Sequence, residues 1–151
     1  MSPALEPATI ALAGGGTGGH VYPAVAMGEA LRARGHSILY FGEARRLEGR
    51  VAPERGIPFH AVPAVQFPRS GLTSKAGFVA GLARATATAR SLLVQHQVDA
   101  VLGVGGYIMA PTVLAAASLG IPSAIHEANV TPGLANRLCA RVAEATACTD
   151  P

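Results

Sequence analysis

Twice in this chain of 151 residues, a short apolar run ends in a cluster of glycines and is followed by a helical pattern that begins with a proline. The first run is Thr9–Ala13 and the second is Val98–Leu102. Short continuous apolar runs are typical of strands that a parallel sheet buries on both faces. Parallel neighbours need a crossover between them, usually a helix. The sequence therefore predicts an α/β domain built on a doubly wound parallel sheet.

The same alternation of strand and helix signals continues along the chain. The predicted strands are Thr9–Ala13, His36–Phe41, Phe59–Val65, Val98–Leu102, Ser123–His126 and Ala145–Thr149. Helices are expected from about Tyr22 to a stop at Gly35, within Gly42–Pro58, over Phe78–Gln95, from Pro111 to Gly120 and from Thr131 to Val142. The Pro-, Ser- and Gly-rich segment Gln66–Gly77 is predicted to be a loop. We expect residues 1–8 to form an N-terminal tail and residues 9–151 to form one domain.

Composition and charge exclude some functions. Half of the residues are hydrophobic and 14% are charged, which argues against a disordered chain. Aromatic residues make up 5% and tryptophan is absent, so a nucleic-acid surface that stacks bases is not expected. The net charge is +3, and no Asp or Glu occurs from Arg55 to Val98. Such a stretch suits phosphate ligands, an anionic membrane surface or an ordinary solvated face.

The two cysteines predict reduced thiols in a cytoplasmic protein. Cys139 and Cys148 lie nine residues apart, without a CxxC motif or a histidine at ligand spacing. The N-terminus lacks the basic segment and apolar run of a signal peptide, and no apolar stretch reaches the length of a membrane span. A peripheral membrane contact remains compatible with the sequence.

The first glycine-rich turn, Gly14–His20, predicts an anion site. Its glycines let backbone amides approach a ligand, and the following helix presents its positive N-terminal end. The turn also fits the GxGxxG pattern, with Glu43 placed to bind a ribose, so an NAD(P)-binding domain of an oxidoreductase is one alternative. His20 favours another chemistry, because an imidazole on the phosphate-binding turn is suited to accept a proton from an attacking hydroxyl. A His20 that only caps or packs is the other alternative.

Two later turns extend the predicted site. The second, Gly103–Tyr107, repeats the first design, so the pair suits a ligand with several phosphates or with a phosphate and a sugar; tight strand-to-helix packing would also explain it. The third, His126–Gly133, has Asn136 one turn into the next helix, and these polar groups suit sugar hydroxyls or an acetamido group, with Glu127 also suited to orient an imidazole. Its HxE pattern lacks a PCxxC partner, so no metal is expected. An ordinary surface loop would also explain this turn.

Together the three turns resemble the MurG family of N-acetylglucosaminyltransferases, which convert lipid I to lipid II in peptidoglycan synthesis. The matching stretches are AGGGTGGHVYPAVA (Ala13–Ala26), VLGVGGYIMAP (Val101–Pro111) and LGIPSAIHEANVTPGLANR (Leu119–Arg137). The resemblance implies the N-terminal, Rossmann-like half of an inverting GT-B glycosyltransferase. It also implies a C-terminal domain, absent from this chain, that holds most of the sugar donor; the isolated domain is expected to be inactive.

The resemblance implies roles for particular residues. His20 would be the catalytic base. Contacts to the donor UDP-N-acetylglucosamine would come from Thr17, Gly18, Gly19 and Asn129. The acceptor and its phosphates would be lined by Gly15, Gly16, Gly105, Gly106, Tyr107, His126, Glu127 and Asn136. The substrates would be UDP-N-acetylglucosamine and lipid I, with no obligatory cofactor.

The resemblance further implies a peripheral enzyme on the cytoplasmic side of the cell membrane, with no nucleic-acid partner. The membrane patch would lie in Gln66–Leu93, where apolar and basic residues alternate: Phe67, Leu72, Phe78 and Leu82 beside Arg69, Lys75 and Arg84. Three residues depart from the family pattern, namely Met109, Ala110 and Ala128. A non-catalytic module that binds phosphate or anionic lipid is a further alternative.

Overall fold

A six-stranded parallel sheet forms the centre of the chain, in a computed structural model that describes residues 6–65, 72–129 and 131–148. Its strands are β1 (Thr9–Ala13), β2 (Ser37–Gly42), β3 (Phe59–Ala61), β4 (Ala100–Gly103), β5 (Ser123–Glu127) and β6 (Ala145–Cys148). The helices are α1 (Gly18–Ala33), α2 (Leu47–Glu54), α3 (Leu72–Gln95), α4 (Met109–Leu119) and α5 (Leu134–Cys139). Across the sheet the strand order is β3-β2-β1-β4-β5-β6, which confirms the predicted α/β fold.

The central strand β1 pairs in parallel with β2 on one side and with β4 on the other. Ala13 is paired with Phe41 in β2 and with Gly103 in β4, so the three strands end at the same level. The glycine-rich turns that follow β1 and β4 are therefore neighbours in space. This is the arrangement that the sequence predicts for the two turns.

Helices cover both faces of the sheet, and each face has its own hydrophobic core. Leu12 packs with buried residues of α1 and α2, whereas its neighbours Ala11 and Ala13 pack with buried residues of α3 and α4. This alternation follows from the side-chain period of a strand. Because β1 has a core on both faces, its residues 11–13 are fully buried, as a continuous apolar run predicts.

The first helix begins four residues earlier than predicted. Thr17 has an extended backbone and is the N-cap, so Gly18 and Gly19 belong to the first turn of α1. Pro23 therefore lies inside the helix and not in its first turn. Since the first amides of a helix have no intrahelical partner, glycines cost little there and leave their N–H groups facing outward.

Other helix boundaries also differ from the predictions. The loop predicted over Gln66–Gly77 is wrong from Leu72 onward, because α3 begins there; positions 66–71 lie outside the described residues. The fifth helix is shorter than Thr131–Val142, since its N-cap is Gly133 and it ends at Cys139. Strand β3 ends at Ala61, four residues before the predicted end.

Among the described residues, no helix combines the length and the apolar character needed to cross a bilayer.

Gly28 brings α1 close to the sheet and provides a test of this packing. A Cβ at Gly28 would lie 2.7 Å from Leu12 Cδ1 and 3.2 Å from Ile38 Cγ2. We expect Gly28→Ala to lower the free energy of unfolding by about 1–3 kcal/mol, since overpacking outweighs the gain in helix propensity. Denaturant unfolding measures the change.

Gly77→Ala is the matched control, because it lies in α3 with no heavy atom within 4 Å of the added Cβ. It should raise the free energy of unfolding by about 0.5–1 kcal/mol. Equal effects of the two substitutions would contradict close packing at Gly28.

Candidate functional site

The first and second glycine-rich turns contact each other at the carboxyl end of the sheet. The amide of Gly15 donates a hydrogen bond to the carbonyl of Gly105 (3.3 Å). A Cβ at Gly106 would lie 2.7 Å from the carbonyl oxygen of Gly15, and a Cβ at Gly14 would lie 2.6 Å from Val104 Cγ2. The glycines are therefore needed for the close approach of the two turns. Strand-to-helix packing, the alternative for the second turn, is present at Gly103, where an added Cβ would lie 3.0 Å from Met109 Sδ and 3.3 Å from Val113 Cγ2 in α4.

His20 lies between these two turns. Its ring packs over Gly105, where an added Cβ would lie 2.6 Å from Cδ2 and 2.8 Å from Nε2. Its Nδ1 is 3.2 Å from the carbonyl oxygen of Gly15 and 3.2 Å from Thr17 Oγ1. Because a carbonyl oxygen only accepts hydrogen bonds, Nδ1 carries the proton of the neutral ring. Nε2 then carries the lone pair, which is the form that a general base requires.

The start of α1 beside His20 has the electrostatics of an anion site. The side chain of the N-cap Thr17 makes no capping hydrogen bond, and the first turn contains no acidic residue. The amides of Gly18 and Gly19 therefore have neither a capping side chain nor an acidic side chain of their own helix turn as a partner. Phosphate groups bind at helix starts of this kind.

The second turn leads into α4 through two glycines with positive φ, Gly105 (105°) and Gly106 (79°). Tyr107 follows, is 43% exposed and lines an apolar cavity together with residues of α3, α4 and α5. Met109, which departs from the family pattern, is fully buried in the core, and its sulfur faces Gly103. The methionine at this position is therefore packed as a core residue. Ala110 is half-buried and lines the same apolar cavity as Tyr107.

The third turn is organised by a buried carboxylate. Glu127 is 3% exposed; its Oε1 accepts hydrogen bonds from the backbone N–H (2.8 Å) and the Nδ2 (2.9 Å) of Asn129, and its Oε2 accepts one from the amide of Gly133 (3.3 Å). Asn136 is also buried, and its Nδ2 is 3.5 Å from the carbonyl of His126. Glu127 and Asn136 thus shape the turn. Their predicted contacts with the acceptor, like those of His126, stay predictions.

A second buried carboxylate, which the sequence interpretation missed, supports the first turn. Glu48 in α2 is fully buried; its Oε2 accepts a hydrogen bond from the amide of Gly16 (3.0 Å) and its Oε1 accepts one from the amide of Glu43 (3.1 Å). The spacing with Val51 and Ala52, three and four residues later, could have revealed it, because these three positions share the buried face of a helix.

Tyr40 adds a neutral contact beneath the same turn. Its hydroxyl donates a hydrogen bond to the carbonyl of Gly14 (3.2 Å). Burial, and then the charge of Glu48, raise the pKa of Tyr40 well above its ordinary value, so the hydroxyl stays protonated. The turn is therefore supported by a charged acceptor and a neutral donor.

The structure argues against the dinucleotide alternative. Glu43, which that alternative assigns to a ribose, uses its Oε2 to accept a hydrogen bond from the amide of Ala64 (2.9 Å). Its carboxylate thus ties the end of β2 to the segment after β3. In the part of the chain that the structure describes, no group of three or more His, Cys, Asp or Glu side chains could hold a metal ion.

Gly105 tests the packing of His20 on the second turn. In Gly105→Ala the added Cβ would overlap the imidazole, so we expect the ring to move and its NMR signals to shift. The positive φ adds a stability cost of about 1–2 kcal/mol. Histidine side-chain NMR and denaturant unfolding measure the two effects.

Gly35→Ala is the control for backbone strain, since Gly35 also has a positive φ (93°) but no heavy atom within 4 Å of the added Cβ. It should lose comparable stability and leave the His20 signals unchanged. Unmoved His20 signals in Gly105→Ala would contradict the packing described above.

Comparison with known proteins agrees with this geometry. A model of the glycosyltransferase family 28 N-terminal domain matches residues 10–148. The chain is 42% identical, over 142 residues, to the UDP-N-acetylglucosamine--N-acetylmuramyl-(pentapeptide) pyrophosphoryl-undecaprenol N-acetylglucosamine transferase of Desulforudis audaxviator. It is 45% identical to the protein of the same name from Clavibacter sepedonicus. These matches cover 93% of this chain but 38% and 39% of the two relatives, so the chain spans about two fifths of their length.

Solved structures give the same result. The crystal structure of Acinetobacter baumannii MurG superposes with a TM-score of 0.84 at 32% identity, covering 96% of this chain and 42% of that one. The UDP-GlcNAc 2-epimerase of Neisseria meningitidis superposes with a TM-score of 0.62 at 14% identity, covering 91% and 38% of the two chains, and shares the fold alone. The predicted resemblance to the MurG family is confirmed. With the family model covering nearly all of its length, the chain belongs to glycosyltransferase family 28 and corresponds to its N-terminal domain.

Proposed function

We propose that the full-length protein containing this chain transfers N-acetylglucosamine from UDP-N-acetylglucosamine to the C4 hydroxyl of the muramyl sugar of lipid I, which forms lipid II for peptidoglycan synthesis. The observation that carries the proposal is the placement of His20, held between two glycine-rich turns with its Nε2 lone pair available. The names of the relatives support the choice of substrates. Since this chain spans about two fifths of their length, the rest of the protein would hold most of the sugar donor.

In the proposed step, His20 acts as the general base. Its Nε2 takes the proton from the C4 hydroxyl as that oxygen forms a bond to the anomeric carbon of the sugar donor. The bond from this carbon to the UDP oxygen breaks, its electron pair leaves with UDP, and the configuration inverts. The hydrogen bond from Nδ1–H to Gly15 holds the ring and stabilises the imidazolium that forms.

Two helix starts would bind the phosphates. The first turns of α1 and α4 contain no acidic residue, and each helix follows a glycine-rich turn. The amides of Gly15 and Gly16 are bound to Gly105 and Glu48, so the phosphate donors proposed at α1 are the amides of Gly18 and Gly19. Preorganised amides and helix dipoles stabilise developing negative charge without a metal ion. The proposed reaction therefore needs no cofactor. Gly15, Gly16, Gly105, Gly106 and Tyr107 remain the proposed acceptor side, with Thr17, Gly18, Gly19 and Asn129 on the side of the sugar donor.

His20→Ala tests the catalytic role. We expect kcat of the full-length enzyme to fall about 100-fold or more, because a positioned general base contributes about 10²–10⁴-fold. Transfer of radiolabelled N-acetylglucosamine to lipid I measures the rate.

His96→Ala is the control, since its ring contacts His60 at a centroid distance of 4.1 Å and lies outside the three turns. Its rate should stay near that of the wild type. A near-normal rate for His20→Ala would remove His20 from the role of base.

We also propose that the face carrying α3 rests on the anionic, cytoplasmic surface of the cell membrane. Lys75 and Arg84 are exposed on this helix, and Val79 is 63% exposed between them. Phe78 and Leu82 line the apolar cavity that reaches Tyr107, so the lipid-facing side would adjoin the second turn. Phe67 and Arg69, and the side chain of Leu72, lie outside the described residues.

Sedimentation of the full-length protein with vesicles of phosphatidylglycerol and phosphatidylcholine tests the membrane contact. Binding at low salt should weaken at high salt, because exposed charges are screened. The double variant Lys75→Glu/Arg84→Glu should bind at least about tenfold more weakly, since each basic side chain near the surface contributes about 1 kcal/mol.

Arg46→Glu/Arg50→Glu is the control of equal charge, with both residues exposed at α2 on the opposite face of the sheet. It should bind like the wild type. No vesicle binding at low salt, or equal losses in the two double variants, would contradict the proposed orientation.

A further inference from the structure

We propose that Glu48 is a positioning residue for the reaction. Its buried carboxylate holds the first glycine-rich turn in the conformation that keeps the His20 proton on Nδ1. The inference rests on the proposed function for its catalytic consequence, whereas its structural part concerns this chain alone. Glu48 touches no reacting atom in this proposal; it acts through the backbone of Gly15 and Gly16.

The carboxylate fills the space directly beneath the turn. Besides its hydrogen bonds to the amides of Gly16 and Glu43, it lies so close to Gly15 that an added Cβ there would be 2.6 Å from Oε1. A Cβ at Gly42 would lie 2.6 Å from Glu48 Cγ. Glu48 therefore links the end of β2 to the first turn, and glycines on both sides make room for it.

The electrostatics of this position indicate a specific role. A buried carboxylate loses several kcal/mol of hydration unless polar partners replace it. Within the described residues the single ion pair is that between Arg55 and Glu29, so no described Lys or Arg pairs with Glu48. Its charge is balanced by two backbone amides and by its place in the first turn of α2, where the helix dipole favours a negative charge. An apolar side chain would fill the space without this cost but would leave both amides unpaired.

The connection to His20 passes through one peptide group. Glu48 Oε2 binds the amide of Gly16, and the carbonyl of the same peptide group belongs to Gly15 and accepts the Nδ1–H of His20. Fixing this peptide plane therefore fixes the direction of the carbonyl. The other partner of Nδ1 is the hydroxyl of Thr17, which can donate as well as accept and so does not select a tautomer. Selection of the Nδ1–H form depends on the Gly15 carbonyl, and hence on Glu48.

Glu48→Gln tests the inference in the full-length enzyme. Glutamine keeps the shape but replaces one carboxylate oxygen by an NH₂ group, which does not accept a hydrogen bond from an amide. With ring-¹⁵N-labelled histidine at about pH 8.5, where imidazole is neutral, the wild type should show His20 with its proton on Nδ1. The signal is identified by its loss in His20→Ala. In Glu48→Gln the proton should be shared between Nδ1 and Nε2.

Kinetics provide the second readout. We expect kcat to fall about tenfold to 100-fold with KM changed by less than about twofold, since displacement of a catalytic group by a remote change acts on the chemical step. Glu43→Gln is the matched control, because this neighbouring carboxylate accepts a hydrogen bond from the amide of Ala64 and, among the described residues, none from the first turn. It should leave both the tautomer and kcat unchanged.

The outcomes separate this inference from the proposed function. An unchanged Nδ1–H signal in both folded variants, Glu48→Gln and Glu48→Asp, overturns the positioning role, whatever the wild-type activity. A second outcome is that Glu48→Gln changes the His20 tautomer while the wild-type enzyme transfers no N-acetylglucosamine. That result supports the structural link from Glu48 to His20 and overturns the proposed function instead. Glu48→Asp covers the case in which the glutamine oxygen stays on the Gly16 amide, since its shorter side chain withdraws the carboxylate from Gly16 while keeping the charge. It also carries the test if Glu48→Gln does not fold.

Discussion

The contact between the two glycine-rich turns determines most of what this domain presents to a ligand. Strands β1 and β4 are parallel neighbours that end at the same level, so the turns that follow them meet. Backbone packs directly on backbone there, with the Gly15 amide bound to the Gly105 carbonyl and no room for a Cβ at Gly106. The two helix starts are thereby brought to one place, and the ring of His20 is held between them.

Two of the three turns rest on internal carboxylates. Glu48 binds amides beneath the first turn and Glu127 binds amides within the third, and both side chains are buried. A carboxylate at the Gly16 amide also takes a hydrogen-bond donor that a pyrophosphate could otherwise use in a dinucleotide-binding turn. The chain therefore has the glycine spacing of a dinucleotide-binding turn, but a buried carboxylate lies where such a turn would bind phosphate. The spacing does not show this carboxylate, so the motif alone left the NAD(P) alternative open.

The sequence predicted the architecture well because strong local signals and the fold agree. Strand β1 has the predicted bounds, because its apolar run stops at Ala13 and the glycines that follow mark the end of the strand. The start of α1 was missed because glycine disfavours helix interiors, although the first turn of a helix tolerates it. The N-cap of α5 was placed at Thr131, whereas it is Gly133, whose amide binds Glu127. Glu48 was missed because its partners are backbone amides, one of them 32 residues away at Gly16, and no sequence motif records such contacts.

Because β6 is an edge strand, the third turn lies farther from the centre of the sheet than the first two turns. This strand lies at the edge of the sheet with all four residues exposed, and it adjoins β5, which leads into the third turn. Edge elements with few buried contacts open at lower free energy than central strands, so the amide hydrogens of β6 should exchange with solvent before those of β1 and β4. One end of the candidate site is thus fixed by the centre of the sheet, while the other adjoins an exposed edge strand.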